Sequence, residues 1–226
     1  MSILKRTILF SLSIVILLGL IPVHAENKYV YSCKKGEDKK IALTFDDGPH
    51  PKKTKKIIEV LEKYGVTATF FVVGVNVKNY SSGMKEIIDR GYEIGNHTFS
   101  HRVLKNSDPA SLENELLLTE HEIKKLGGEV SNLIRPPCGL YDDSLLDFSR
   151  ENGYKIVLWN IDTKDWEHTS KGNIAKMVES EVKGGDIILF HDYISGKSNT
   201  AEALDILIPK LLDLGYEFVS VSELLQ

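Results

Sequence analysis

The chain has 226 residues, of which 42% are apolar and 27% charged, an ordinary balance for a soluble globular protein. Its formal net charge of -4, from 28 basic and 32 acidic side chains, argues against a nucleic-acid-binding protein, which usually carries a basic surface. The two cysteines, Cys33 and Cys138, are too few for a disulfide scaffold and are expected to be unpaired, with one disulfide as the alternative.

The first residues have the layout of a secretory signal. Lys5 and Arg6 precede an apolar run over residues 8–23, and small residues up to Ala25 suit a signal peptidase. The sequence therefore predicts a signal peptide over residues 1–25 and a secreted protein associated with the cell wall. The alternative is an uncleaved N-terminal membrane anchor, in which case this segment alone contacts the membrane.

Beyond a lead-in segment over residues 26–38, the sequence predicts one domain over residues 39–226 in which strands alternate with helices. Short apolar runs that end at turn residues predict strands, and apolar residues three or four positions apart predict helices. The predicted strands cover residues 41–45, 68–73, 93–96, 133–135, 155–160, 186–190 and 216–219. The predicted helices cover residues 51–64, 84–90, 109–126, 143–152, 174–182 and 201–214, with Asp143 or Ser144 as the cap of the fourth.

Alternating strands and helices, with apolar residues throughout the strands, indicate a parallel sheet covered by helices. A nearly closed barrel and an open doubly wound sheet both agree with this pattern. Asp46-Asp47-Gly48-Pro49 follows the first strand, where a nucleotide-binding protein would have a glycine-rich loop. The sequence therefore disfavours nucleotide binding.

Reactive side chains follow five of the predicted strands. Because parallel strands end on one face, these side chains are expected to converge there, as in the active sites of barrel enzymes. In chain order they are Asp46 and Asp47, His97 and His101, Arg135, Asp162 with Asp165 and Trp166, and His191 with Asp192.

His97 and His101 are four residues apart, a spacing that places both imidazoles on one face of a helical turn. With one carboxylate of the Asp46-Asp47 pair, they suit a divalent ion such as Zn²⁺ and leave positions open for water and substrate. A non-haem iron site uses the same ligand types, but no other feature of an oxygenase is present. Taken singly, the acidic pair also fits a solvated turn, and the histidines also fit surface or core positions.

The remaining candidates each have a functional and an ordinary interpretation. His191 is suited to act as a general acid near neutral pH, and is otherwise a structural histidine. Arg135 can orient a carboxylate or form a surface salt bridge. Asp162 and Trp166 fit a supporting carboxylate and a pocket wall, or an ordinary loop. The lysine run from Lys52 to Lys56 is interpreted as the solvated face of the first helix.

Five short motifs run in order along most of the predicted domain. They are Thr44-Phe-Asp-Asp47, His97-Thr-Phe-Ser-His101, Arg135-Pro-Pro-Cys-Gly139, Asp162-Thr-Lys-Asp-Trp166 and Leu189-Phe-His191. Together they resemble the motifs of the NodB-type polysaccharide deacetylases, carbohydrate esterase family 4. Each motif alone is weak, whereas five in the same order are specific.

The resemblance implies an α/β fold, a distorted (β/α)7 barrel with parallel strands inside and helices outside. It also implies a division of roles at one face of that barrel. Asp47, His97 and His101 are expected to bind one divalent ion, for which Zn²⁺ is the first candidate and Co²⁺ an alternative. Asp46 is expected to be the general base and His191 the general acid.

The resemblance gives the other motif residues supporting roles. Arg135 is expected to steady the base and Asp162 to tune the acid, while Leu189 and Trp166 line a pocket for the acetyl methyl group. Cys138 stands where the family usually has an aromatic residue. Its backbone N–H is expected to help hold the oxyanion, and a backbone donor survives a change of side chain.

The resemblance implies a metal-dependent hydrolase that removes N-acetyl groups from GlcNAc- or MurNAc-type residues of an extracellular polysaccharide. Peptidoglycan is the expected polymer because the chain is expected to be secreted. The alternatives are an O-acetyl esterase on xylan, a chitooligosaccharide deacetylase and, from another class, a non-catalytic glycan-binding module. The acetylated polysaccharide is the only partner that the sequence indicates, with neither a nucleic acid nor a protein partner predicted.

Overall fold

The structure, a computed structural model, describes residues 28–36 and 39–226. The predicted signal segment over residues 1–25 lies outside the described residues. Within the described ranges, no helix combines the length and the apolar character that crossing a membrane requires.

The strands of the described residues form one sheet in which every strand pair is parallel. These strands are β1 (Val30–Tyr31), β2 (Lys40–Asp46), β3 (Thr69–Val72), β4 (Glu93–Asn96), β5 (Leu133–Ile134), β6 (Lys155–Val157), β7 (Ile161–Asp162), β8 (Ile187–His191) and β9 (Glu217–Phe218). Their order in the sheet is β1-β6-β5-β4-β3-β2-β8-β7, and β9 pairs with β2 beside this path.

The sheet curls because β6 and β7 lie near its opposite ends but are separated in the chain only by residues 158–160. This short connection draws the two ends of the sheet towards each other. The result is a curled half-barrel of parallel strands with helices around it, which confirms the predicted α/β barrel architecture.

Strand β2 lies in the middle of the sheet and is buried along nearly its whole length. It pairs with β3 on one side and β8 on the other. A strand covered on both faces has to be apolar on both faces, which explains the nearly continuous apolar run from Ile41 to Phe45. The two carboxylates Asp46 and Asp47 come where this run ends, at the carboxyl edge of the sheet.

Helices cover the sheet, and each helix has one buried side. Helix α1 buries Ile57, Ile58 and Leu61 and ends at Gly65, whose φ of 64° is a conformation that glycine adopts without strain. The helices are α1 (Lys53–Tyr64), α2 (Gly74–Asn79), α3 (Ser81–Asp89), α4 (Pro109–Lys125), α5 (Asp143–Asn152), α6 (Lys171–Glu181), α7 (Thr200–Asp213) and α8 (Val221–Leu224), with 3₁₀ turns at Pro137–Gly139 and Asp165–Glu167.

Several boundaries differ from the prediction for identifiable reasons. The predicted strand 155–160 ends after Val157, because the carbonyls of Val157 and Leu158 accept hydrogen bonds from the Arg135 guanidinium. The cap of α5 is Asp142 rather than Asp143 or Ser144, since its side chain accepts from the N–H of Leu145. Part of the predicted lead-in, residues 30–31, forms β1 and pairs with β6.

Candidate active site

The predicted site residues meet at the carboxyl ends of the strands. They line a cavity of about 430 Å³, which confirms the expected convergence of side chains from separate strands. Arg135 lies behind its wall. The lining residues are Asp46, Asp47, His97, His101, Cys138, Trp159, Asp162, Trp166, Leu189 and His191.

The backbone at Asp47 is held in an unusual conformation that turns its side chain away from β2. Its φ is 74°, in the left-handed region, and its carbonyl accepts a hydrogen bond of 2.7 Å from the side-chain amide of Asn76. The next residue has to be glycine, because a Cβ at Gly48 would lie 2.0 Å from the carboxylate of Asp192. The two neighbouring carboxylates Asp46 and Asp47 can therefore serve different tasks in one cavity.

The two histidines lie on a loop after β4. Helical spacing was the wrong explanation for their proximity, since Thr98 and His101 both have positive φ angles and the segment forms no helical turn. Glu115 of α4 organises this loop by accepting hydrogen bonds of 2.9 Å from the backbone N–H groups of Phe99 and Ser100. The four-residue spacing still brings both rings to the same ion site.

The His97 ring is oriented by a hydrogen bond behind it. Its Nδ1 lies 2.6 Å from the carbonyl oxygen of Arg135, so Nδ1 carries the proton and Nε2 keeps its lone pair for the cavity. A ligating histidine typically donates its other N–H in this way, which fixes both its tautomer and its direction.

Asp47, His97 and His101 form a possible site for a divalent ion. Oδ1 of Asp47 lies 3.4 Å from Nε2 of His97 and 3.0 Å from Nε2 of His101, and ligand atoms of all three residues lie within 4.8 Å of one another. Two ligands bound tetrahedrally to Zn²⁺ at about 2.1 Å lie roughly 3.4 Å apart, so the spacing fits such an ion.

The charges of this trio favour binding of a cation. Burial raises the pKa of the Asp47 carboxyl, but the imidazoles of His101 and His97 beside it hold that pKa well below the ordinary range. Asp47 is therefore ionised at neutral pH, as a metal ligand must be.

Asp46 forms a buried ion pair with Arg135. Their Oδ1 and Nη1 atoms are 2.8 Å apart, and Asp46 is 3% exposed while Arg135 is fully buried. Nη1 of Arg135 also donates to the hydroxyl of Thr44, and its guanidinium stacks over Phe71 at 4.1 Å. Arg135 therefore fixes Oδ1 and leaves Oδ2, which is 3.8 Å from Nε2 of His97, beside the ion site.

His191 pairs with Asp165, which corrects the prediction that Asp162 tunes it. Nδ1 of His191 lies 2.8 Å from Oδ1 of Asp165, and the backbone N–H of His191 donates to Oδ2 of the same carboxylate at 2.9 Å. The hydroxyl of Thr200 also donates to Oδ2, so Asp165 is fully buried yet satisfied. Burial lowers the pKa of His191, but Asp165 together with Asp46 and Asp47 raises it to about 9.

Asp162 contacts its own turn. Its Oδ1 accepts a hydrogen bond of 2.9 Å from the backbone N–H of Lys164, whose φ is 51°. Asp162 lines the cavity, and its contact with Lys164 shapes the loop that carries Asp165 and Trp166. Asp162 and Asp165 follow the same strand and look alike in the sequence. Only the structure shows that Asp165 is the one that contacts Thr200 and His191.

The apolar wall of the cavity combines predicted residues with one that the sequence did not single out. Leu189 is 3% exposed and Trp166 is 47% exposed, so the first closes the bottom and the second stands at the mouth. Trp159 also lines the cavity and was missed. Cys138 is exposed with a φ of 59°, and both it and Cys33 are free thiols in the structure.

The chain belongs to the polysaccharide deacetylase family, whose sequence pattern matches residues 34–157. The possible ion site, the buried carboxylate of Asp46 and the paired His191 therefore lie together at one end of a curled parallel sheet in a member of this family.

Particular proteins are similar over most of the chain. A peptidoglycan-N-acetylglucosamine deacetylase of Bacillus cereus is 39% identical over 191 residues, which make up 84% of this chain and 89% of that protein. A crystal structure of a peptidoglycan N-acetylglucosamine deacetylase has a TM-score of 0.83 at 33% identity and covers 87% of this chain and 92% of its own. A family 4 acetyl xylan esterase from Clostridium thermocellum, in complex with a cobalt ion, has a TM-score of 0.75 at 35% identity, with 82% and 90% covered.

Proposed function

We propose that this protein is a secreted, metal-dependent hydrolase that removes N-acetyl groups from GlcNAc or MurNAc residues of peptidoglycan. The observation that carries the proposal is the placement of the Asp47, His97 and His101 trio beside a fixed carboxylate, Asp46, in the cavity that His191 also lines. This arrangement supplies an ion site, a base and an acid around one reacting carbonyl.

The reaction needs water to attack an unreactive amide. When bound, a divalent ion at the trio polarises the acetyl carbonyl as a Lewis acid and lowers the pKa of a water molecule towards neutrality. Asp46 accepts the proton of the attacking water through Oδ2, because Arg135 holds Oδ1. Zn²⁺ is our candidate for the ion, since two imidazoles and one carboxylate are a common ligand set for it.

The negative charge that develops on the acetyl oxygen needs a second stabilising contact. The backbone N–H of Cys138, which lines the cavity, is our candidate, and losing one such donor typically costs about 3 kcal/mol. His191 then gives the proton on Nε2 to the amine nitrogen as the C–N bond breaks, because its Nδ1 is engaged by Asp165. The products are acetate and a sugar with a free amine.

The apolar side of the cavity suits the acetyl methyl group. Leu189 and Trp166 are among the apolar residues that line it. A methyl group placed there is removed from water, while its carbonyl faces the ion site. The same geometry accepts an O-acetyl ester, so xylan esters and chitooligosaccharides remain the rival substrates.

Two considerations support peptidoglycan over these rivals. The similarity to a peptidoglycan-N-acetylglucosamine deacetylase extends over 84% of the chain. The sequence of residues 1–25 also has the features of an export signal, which would bring the protein to the cell wall. A non-catalytic glycan-binding module is disfavoured because the acid, the base and the ion ligands are all retained.

Acetate release from purified peptidoglycan, acetylated xylan and chitotetraose tests the proposal, with and without chelator and with Zn²⁺ or Co²⁺ restored. We expect acetate from peptidoglycan, loss with chelator and recovery with the ion. Asp46→Asn should keep its metal by elemental analysis but lose at least about 100-fold in kcat, whereas His97→Ala should lose both. A folded Asp46→Asn protein without metal would contradict these roles, and release from xylan alone would assign the chain to the esterases.

A further inference from the structure

A second cavity, of about 310 Å³, has four lysines and a histidine among the ten residues that line it. It lies between the start of α1 and the segment that leads from β8 into α7. Lys52, Lys53 and Lys56 come from the first side and Lys197 from the second. Glu202 is the only acidic residue among the residues that line it.

The positive charge in this cavity is largely uncompensated. Among the described residues, the ammonium groups of Lys52, Lys56 and Lys197 form no ion pair, although the whole chain has a net charge of -4. Lysines from two separate segments of an acidic protein therefore face one space. An anion placed there contacts several ammonium groups at once, which a solvated helix face does not offer.

Hydrogen bonds fix the backbone at the start of α1 and connect the two walls of the cavity. Nδ1 of His50 accepts hydrogen bonds of 3.0 and 3.1 Å from the backbone N–H groups of Lys52 and Lys53, which leaves Nε2 as the protonated nitrogen. Burial and the two lysines lower the pKa of His50, so the ring is neutral and remains an acceptor at Nδ1. Lys53 donates to the carbonyl of Ile194 and thereby ties the two walls together.

Both walls are extensions of the catalytic loops. His50 follows the ion ligand Asp47 by three residues, and Ile194 follows His191 by three. Three residues of chain span at most about 11 Å, so His50 lies within that distance of Asp47, and Ile194, the partner of Lys53, within that distance of His191. A group carried by a sugar near the one being deacetylated can reach it.

We propose that this basic cavity binds a carboxylate carried by the glycan substrate and so favours peptidoglycan over uncharged acetylated glycans. The inference rests on the proposed function, because it concerns the substrate of that site. In peptidoglycan a carboxylate has two sources: the lactyl group of an unsubstituted MurNAc residue, or the stem peptide that replaces it.

Three soluble tetrasaccharides distinguish the sources: a GlcNAc–MurNAc repeat with free lactyl groups, the same repeat carrying tripeptide stems, and chitotetraose without a carboxylate. The test variant is Lys52→Gln/Lys56→Gln/Lys197→Gln, which leaves the structural Lys53 in place. The control, Lys55→Gln/Lys85→Gln/Lys176→Gln, removes the same charge from exposed lysines outside both cavities.

We expect the KM for a carboxylate-bearing substrate, divided by the KM for chitotetraose, to rise about fivefold in the test variant and to stay constant in the control. The same ratio should rise with salt in the wild-type protein. A rise with the lactyl glycan alone assigns the site to the lactyl group, and a rise with the peptide-bearing glycan alone assigns it to the stem. A rise with both shows that the cavity accepts a carboxylate from either source. An unchanged ratio, or an equal change in the control, overturns the proposal.

Binding without turnover separates this inference from the proposed function. Calorimetric titration of the peptide-bearing and lactyl glycans into holo Asp46→Asn protein, with and without the three lysine changes, needs no acetate release. About fivefold weaker binding of a charged glycan in the lysine variant supports the basic cavity even where no substrate is deacetylated. Equal binding with and without the changes refutes it even where deacetylation proceeds.

Discussion

Asp165 holds His191 by two contacts, one to the ring at Nδ1 (2.8 Å) and one to the backbone N–H (2.9 Å). The double contact fixes both the position of the residue and the direction of its imidazole. Since Nδ1 is occupied, only Nε2 is free to serve a substrate. The same carboxylate keeps the ring protonated at neutral pH, which is the state that a proton donor requires.

The pH dependence of kcat should show this coupling. The pKa of His191 is raised to about 9, so the acid is present below that pH and is lost as pH rises through it. A bound cation offsets the attraction of Asp46 and Asp47 and moves this alkaline limb to lower pH. Asp165→Asn removes the main raising influence, so we expect a lower kcat and an alkaline limb displaced further to lower pH in a pH–rate profile.

Asp162→Asn is the matched control, since it changes the other carboxylate of the same loop. Its side chain accepts from the N–H of Lys164 and does not contact His191 among the hydrogen bonds of the described residues. The alkaline limb should therefore stay where it is in the wild-type protein. A displacement as large as that of Asp165→Asn would mean that both carboxylates set the proton affinity of His191.

Removing Arg135 should destabilise the fold. Arg135→Ala leaves Asp46 as a buried charge without its partner, which typically costs about 3–5 kcal/mol in the free energy of unfolding. Urea denaturation in the presence of chelator measures this cost without a contribution from metal binding. Arg150→Ala breaks an exposed pair with Asp147 and a contact with the Tyr29 ring at 5.6 Å, and should cost less than about 1 kcal/mol; equal effects would contradict the importance of burial.

Asp192 should make the stability of the metal-free protein decrease between weakly acidic and neutral pH. Burial raises the pKa of Asp192 to about 7, assisted by the charges of Asp47 and Asp46 and opposed by the Thr54 hydroxyl. Because its pKa is higher in the folded than in the unfolded chain, the folded state binds more protons between about pH 4 and pH 7. The free energy of unfolding therefore falls as pH rises through that range.

Asp192→Asn should remove most of this slope, since an amide keeps the contact with Thr54 without ionising. Thermal unfolding of both proteins in chelator at pH 5 and pH 8 is the measurement. The difference between the two pH values should be smaller in the variant. An unchanged difference would show that other groups titrate with folding in this range.

Cys138→Tyr should remain active, because the group expected to hold the oxyanion is the backbone N–H rather than the thiol. The side chain is exposed, so the larger residue has room at the cavity mouth, and the family usually has an aromatic residue there. We expect kcat on peptidoglycan within about tenfold of the wild-type value, below the effect of losing a donor. A folded but inactive variant would show that the thiol itself contributes.

The sequence predicted the sheet and its functional edge because both follow from local patterns. The apolar run of β2 indicates a buried strand, and Asp46 and Asp47 indicate the carboxyl end of that strand. The same reasoning placed His97, His101 and His191 on one face. The resemblance then predicted Asp46 as the base and Asp47 as an ion ligand, a distinction that spacing alone left open.

What the sequence missed depends on contacts between distant segments. The partner of His191 is Asp165 rather than Asp162, and this choice depends on the left-handed turn at Lys164 and on Thr200 across the loop. The early end of β6 has a similar origin, because its carbonyls bind Arg135 from a neighbouring strand. The lysine run after β2 was interpreted as a solvated helix face, and Lys52, Lys55 and Lys56 are exposed; the run itself gives no sign of Lys197, which lines the same cavity from far along the chain.

Arg135 joins Asp46, at the end of β2, to the carbonyl group of Leu158, just after β6; it lies 89 positions after Asp46 and 23 positions before Leu158 in the chain. A growing polypeptide that has made only its first strands therefore carries the carboxylate without the guanidinium that aligns it. Catalytic activity must therefore arise late in folding, after the sheet has curled and its last strands have paired.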